Sequence, residues 1–367
     1  MRGHKANISS LSSLSSSSTT APAERVFEIV SCGEDGQICV WRNSSAYGSR
    51  ECNWELSCTL TGFSASIIAH DSFSLISQGA IISACDSSGR LNVWYRGVSY
   101  HNNSYRLIHS TNIAPSQLPN CMKLFTLPFD AVGSSVSVVF AMGSVDSKVH
   151  LKLLSLSLDN IDPFVANDVT LQTVGILSGH EDWVTCLSVR LHITSSGEQA
   201  VYLASGSQDA KIRLWRVSGT AVANNSSLPL GLVAVSNGGT FVFDNLKNNL
   251  IGDDVVEDEV GEDDDCEEGE SATVPVDDDE RGDDARCQFT RRDGQFLYSV
   301  YLEALLIGHE EWVTSVQWVV DDAPATDDED RRDATQCRSG SAELKLFSTS
   351  MVRMILCYHL IIIISKT

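Results

Sequence analysis

Four residues of the chain have the types and spacing that could do chemistry together: His180, Ser205, Asp209 and Trp215. An imidazole between a hydroxyl and a carboxylate is the donor and acceptor order of a hydrolase triad, and an indole N–H adds a further donor. The same types return at His4, Ser31, Asp35 and Trp41, with the aspartate again six residues before the tryptophan. No G-x-S-x-G nucleophile elbow surrounds either serine. Active sites are rarely built once per repeat. The spacing therefore predicts networks that satisfy buried polar groups and pin strands to loops, with no catalytic residue. Ser207 is the alternative hydroxyl if the register slips by one pleat.

The elements that must position these groups are short strands. Around the second set, segments 183–189, 201–206 and 210–215 are rich in Val, Ile, Leu and Thr and are separated by polar turns. Gly179-His180 opens the unit and Trp215 closes it, which resembles one WD40 repeat, a four-stranded antiparallel blade staggered across the motif. The first set lies in a similar unit from Gly3-His4 to Trp41, where FEIVSCGEDGQICVW reads as strand, tight turn and strand. The serine run 9–20 reads as a surface loop between its first two strands. A weaker repeat has Gly62-Phe63 at its opening and Trp94 at its close, with Ser88 six residues before the tryptophan and Asp86 close by. A third keeps Asp146 but has Lys152 at the tryptophan position. The last opens at Gly308-His309, with Val352 and Tyr358 at the aspartate and tryptophan positions.

The fold class expected is thus all-β: a WD40 β-propeller with about five detectable blades of a seven-bladed ring, incomplete and read as a fragment. Repeats one to four take 1–217, an acidic, largely disordered insert within the propeller takes 218–294, the outer strand of repeat four and repeat five take 295–358, and an atypical tail takes 359–367. That tail, LIIIISKT with the residue before it, is too short to cross a bilayer.

Charge is segregated. Of a formal net charge of −22, eighteen acidic residues against the single Arg281 fall between Asp253 and Asp284. So acidic and poorly hydrophobic a stretch cannot bury enough apolar surface to order itself. It reads as a solvated spacer, with a docking tail for a basic partner as the sharper alternative, and its Asp263-Asp264-Asp265 run lacks the glycine and the terminal glutamate of an EF-hand calcium loop. The acidity argues against direct nucleic-acid binding. The eleven cysteines include no C-x-x-C pair, so neither zinc nor another cofactor is expected. Buried free thiols suit a reducing compartment, and a cytoplasmic location, with the nucleus as a second, is expected; no membrane association is.

LSGHEDWVTCL followed by YLASGSQDAKIRLWRV, a long insert, and then LEALLIGHEEWVTSVQW resembles the family of second subunits of the Elongator complex. Two consecutive repeats carry an acidic pair and a tryptophan after Gly-His: Glu181-Asp182-Trp183 and Glu310-Glu311-Trp312. The resemblance is specific over roughly 177 to 320 and generic over 27 to 152, and the family's aspartate and tryptophan near the end of repeat five are replaced here by Val352 and Tyr358. It implies a non-catalytic scaffold of the machinery that modifies the wobble uridine of transfer RNA, gripping the large Elongator scaffold subunit and the radical-SAM catalytic subunit. The alternative is another WD40 adaptor, such as a ubiquitin-ligase substrate receptor or a signalling scaffold. Trp183 and Trp312 lie just beyond the opening loops, where an aromatic could anchor a partner or else pack between adjacent blades.

Overall fold

A computed structural model of the chain describes residues 3–15, 27–43, 53–75, 79–97, 104–128, 135–157, 169–193, 199–221, 233–236, 239–242, 286–290, 296–319, 343–351 and 355–361. These residues are almost entirely β-strand and form five blades of a β-propeller.

Blade one is β1 (Ile8–Ser15), β2 (Phe27–Gly33), β3 (Ile38–Asn43) and β4 (Trp54–Leu60). Blade two is β5 (Ile67–Leu75), β6 (Gly79–Asp86), β7 (Arg90–Arg96) and β8 (Arg106–Asn112). Blade three is β9 (Pro119–Thr126), β10 (Ser135–Ser144), β11 (Val149–Ser157) and β12 (Thr170–Leu177). Each is a meander in which every strand pairs antiparallel with the next. Blade four continues with β13 (Val184–Ile193), β14 (Gln199–Ser207) and β15 (Lys211–Ala221). After a separate hairpin of β16 (Val233–Ser236) and β17 (Gly239–Val242), blade four is completed by β18 (Arg286–Thr290) and β19 (Phe296–Ile307) in the order β13-β14-β15-β19-β18. Blade five has β20 (Val313–Val319), β21 (Glu343–Ser350) and β22 (Ile355–Ile361) among the described residues.

The innermost strands stand side by side in chain order, β1 beside β5, β5 beside β9, β9 beside β13 and β13 beside β20. Polar rungs tie them. His70 on β5 lies between the hydroxyls of Ser10 and Ser12 on β1. Lys123 on β9 donates to Asp71 on β5 at 3.1 Å, and Trp318 on β20 donates through its indole to the Ser188 carbonyl at 3.3 Å. Between blades the core is aliphatic and aromatic, with Trp215, Tyr202, Tyr298 and Phe140 among its largest fully buried side chains. Blades approach closely at Gly143 and Gly206, where an added Cβ would fall 2.5 Å from Val184 and 2.7 Å from Val313 of the next blade.

Three sequence expectations are corrected. The serine run 9–20 is not simply a loop, because residues 9–15 belong to β1. Serine is a poor strand former in isolation. Here Leu14 is buried, and Ser10 and Ser12 bond His70 and Ser72 of the neighbouring blade. Second, ordered strands enter 218–294: β15 extends to Ala221, and β18 places Cys287 and Phe289 in the core with Gln288 outside. Five residues of alternation beside a long acidic run give too short a period to stand out. Third, β22 runs to Ile361, so the chain from 359 to 361 continues a blade strand rather than starting a tail. The acidic tract 253–284, Val352 and residues 362–367 lie outside the described residues.

The tight turn between second and third strands needs a left-handed residue. It is Gly36 (φ 69°) in blade one and Gly89 (φ 89°) in blade two, but Ser147 (φ 65°) and Ala210 (φ 63°) in blades three and four. A Cβ in this region costs about 1–2 kcal/mol, whereas glycine adds about 0.4–1 kcal/mol of unfolded-state entropy to be lost. Ala210→Gly should therefore raise the unfolding free energy by about 0.5–1 kcal/mol. A urea midpoint that falls instead would show that the alanine turn is unstrained.

Candidate functional site

The polar networks of blades one and four have the same geometry. In blade four His180 comes from the loop opening onto β13, Ser205 from β14, Asp209 from the tight turn and Trp215 from β15. His180 Nδ1 lies 2.8 Å from Asp209 Oδ2, and its Nε2 lies 2.9 Å from Ser205 Oγ. Trp215 donates its indole N–H to that same oxygen at 3.0 Å. In blade one His4 Nδ1 lies 3.0 Å from Asp35 Oδ1 and Nε2 lies 2.8 Å from Ser31 Oγ, while Trp41 donates to Ser31 at 2.8 Å. An imidazole with its proton on Nδ1 satisfies the whole chain of donors and acceptors, from indole to hydroxyl to imidazole to carboxylate. Ser207 takes a different place, donating to the Asp182 carbonyl at 2.9 Å and accepting the Asp209 amide.

Backbone amides complete each carboxylate. Asp209 also accepts from Glu181 at 3.1 Å and Lys211 at 2.9 Å, and Asp35 from Lys5 at 2.7 Å and Gln37 at 3.2 Å. Burial would raise the Asp209 carboxyl, but hydrogen bonds and charge from His180, with the two amides, outweigh it and bring it down to about 2. Asp35 is lowered for the same reasons. Ser31 and Ser205 are buried, with 1% and 0% exposure, and each hydroxyl is already engaged. No substrate carbonyl reaches such an oxygen, so the arrangement holds strands to loops and does not attack anything.

The other blades keep parts of this device. In blade two Phe63 replaces the histidine and packs edge-on to Trp94 at 5.6 Å, while Asp86 accepts from Ser88 and Arg90 across the turn. In blade three the histidine comes from β11 itself: His150 Nε2 lies 2.8 Å from Asp146 Oδ2. Lys152, at the tryptophan position, donates to Thr173 at 2.9 Å. In blade five His309 Nε2 lies 2.6 Å from Ser348 Oγ, but Nδ1 has no partner among the described residues. Tyr358 stands opposite Leu346 in the tryptophan position.

A second cluster has no sequence motif to announce it. Glu28 on β2 is buried and accepts from Arg42 on β3 at 2.8 Å and from Arg96 on β7 at 2.7 and 2.8 Å. It joins blade one to blade two. Burial works against the Glu28 carboxylate, but the two guanidinium groups hold its pKa below the ordinary value.

Trp183 and Trp312 are at equivalent places, each just before the innermost strand of its blade, and are 47% and 45% exposed. Among the described residues no group of three or more His, Cys, Asp or Glu side chains is placed to hold a metal, and no helix is long and apolar enough to cross a membrane. Burial pushes the Cys85 and Cys186 thiols up to about 12 and Cys287 to about 11, which makes them poor nucleophiles.

The WD domain, G-beta repeat family matches residues 1–42 and 171–216, the segments that hold the two complete networks. Among curated proteins, Elongator complex protein 2 of Dictyostelium discoideum is 24% identical over 79% of this chain and 28% of its own length. The Saccharomyces cerevisiae protein of that name is 25% identical over 79% of this chain and 27% of its own length, and that of Arabidopsis thaliana 22% identical over 86% and 30%. The chain therefore spans less than a third of the length of these relatives. Among solved structures, Chaetomium thermophilum Sqt1 bound to the N-terminus of ribosomal protein L10 aligns with a TM-score of 0.35 and 17% identity, covering 58% of this chain and 46% of that one.

Proposed function

We propose that this chain, a protein of WD40 blades similar over most of its length to Elongator complex protein 2, is a non-catalytic scaffold subunit of the Elongator complex. The observation that carries the reading is the similarity to proteins of that one name in four organisms, at 79% or more of this chain in each. In this role the propeller supports assembly of the machinery that modifies the wobble uridine of transfer RNA. Its partners are the large scaffold subunit and the radical-SAM catalytic subunit. The serines of the two complete networks are buried, which suits a protein that binds rather than reacts.

Affinity capture of the tagged chain from its native extract, with mass spectrometry of the bound proteins, tests this. Recovery of both Elongator subunits is expected. Their absence from captures with a chain that melts cooperatively would overturn the reading.

A further inference from the structure

The blades repeat one backbone hydrogen bond that fixes five equivalent positions on one face. The amide at the start of each tight turn donates to a carbonyl in the short run of chain that leads into the innermost strand. The pairs are Glu34 to Asn7 at 2.9 Å, Ser87 to Ser66 at 2.9 Å, Val145 to Leu118 at 3.2 Å, Gln208 to Trp183 at 3.0 Å and Met351 to Trp312 at 3.1 Å. Three blades form with asparagine, serine or leucine at this position. The fold itself therefore makes no demand for an aromatic side chain there. Only the adjacent blades four and five carry tryptophan, and both rings are close to half exposed, beside Met351 at 61%. The two strand starts are tied directly, because the Thr185 hydroxyl donates to the Val313 carbonyl.

The two residues before each tryptophan are acidic. Glu310 and Glu311 are exposed and precede Trp312. Glu181 precedes Asp182 and pairs with Lys211 at 2.8 Å, with its own side chain 72% exposed. Asp182 turns back to accept the Trp183 amide at 2.7 Å. Indole faces attract cations, and carboxylates pair with guanidinium and ammonium groups.

We propose that this face binds a segment of a partner protein in which arginine or lysine side chains alternate with apolar ones. The cations lie on the Trp312 ring and pair with Glu310 and Glu311. The apolar side chains cover Trp183 and Met351. This deepens the scaffold reading and rests on it for the idea that the chain binds proteins.

The probe is a fluorescent peptide alternating arginine and leucine, titrated against the full chain and followed by anisotropy. Peptides with glutamate or serine in place of arginine serve as controls. Binding of the arginine peptide alone is expected, weakening as salt rises. Trp183→Ala and Trp312→Ala should each weaken it by about tenfold or more at an unchanged melting temperature. The exposed double substitution Glu310→Gln/Glu311→Gln, which leaves the core alone, should weaken it by about tenfold. Binding that survives both tryptophan replacements would belong to the acidic stretch 253–284 and would overturn the proposal, as would equal binding of the serine peptide or occupation of the face by a second copy of this chain. The two readings fail separately. Captured Elongator subunits that depend on the tryptophans but not on Glu310 and Glu311 would leave the scaffold role standing and remove the basic partner. A tryptophan-dependent arginine peptide without Elongator capture would do the reverse.

Discussion

His180→Ala is expected to lower the unfolding free energy by about 3 kcal/mol, within the range seen when a buried, hydrogen-bonded charge loses its partner. Removing the imidazole breaks the 2.8 Å link to Asp209 and the 2.9 Å link to Ser205 together. The His180 and Asp209 side chains are only 1% and 3% exposed, so little water replaces what is lost. Two backbone amides remain on the carboxylate and keep the loss from being larger. His309→Ala supplies the contrast. Among the described residues its imidazole bonds Ser348 alone, so about 1 kcal/mol is expected from that blade. Guanidinium midpoints of the two variants decide the matter: equal losses would mean that the aspartate adds nothing.

The same network gives stability an acid limit. The Asp209 carboxyl lies at about 2 in the folded chain against 3.8 ordinarily. A depressed carboxyl stabilises the fold above its unfolded value, and the contribution disappears as the pH falls from about 4 through about 2. The difference corresponds to about 2 kcal/mol. Asp35 and Glu28 are lowered too and act with the same sign. Asp209→Asn should flatten part of the fall in melting temperature over that window.

Glu28→Ala is the second large effect, at about 3–4 kcal/mol, because it leaves two guanidinium groups facing each other without their shared anion. Arg96 is 13% exposed and Arg42 28%, so Arg96 bears most of the cost. Arg96 also lies 4.7 Å above the Tyr105 ring, which keeps it in place after the carboxylate is gone. The double variant Glu28→Ala/Arg96→Ala should recover part of the loss. A cycle with no coupling between the two would show that this ion cluster adds nothing to the join between blade one and blade two.

Blades one and four are the legible ones, because a histidine, serine, aspartate and tryptophan at fixed intervals announce a bonded network through their spacing alone. The other blades meet the same mechanical need with different chemistry. Phe63 against Trp94 is an aromatic contact where blade four has a polar one. His150 reaches Asp146 from within its own hairpin, so a search for histidine in the opening loop passes over it. Glu28 and Arg96 are 68 residues apart, and only the juxtaposition of two blades brings them together. The β1 strand is hidden by composition: serine hydroxyls look like a loop until a neighbouring histidine takes up their hydrogen bonds. Trp183 and Trp312 are visible in the sequence at the same place after Gly-His, but that three other blades form without an aromatic there becomes clear only from the backbone bond that the five blades repeat.

In blade four, Ala221 at the end of β15 is registered opposite Phe296 at the start of β19. The chain leaves this sheet after Ala221 and is next found in it at Arg286, the start of β18. The cost of closing a flexible loop grows only with the logarithm of its length, by about 0.6 kcal/mol for each doubling. Blade four is consequently a natural splice port between 222 and 285: sequence lengthened, shortened or exchanged there can be carried as cargo while β15, β18 and β19 keep their register.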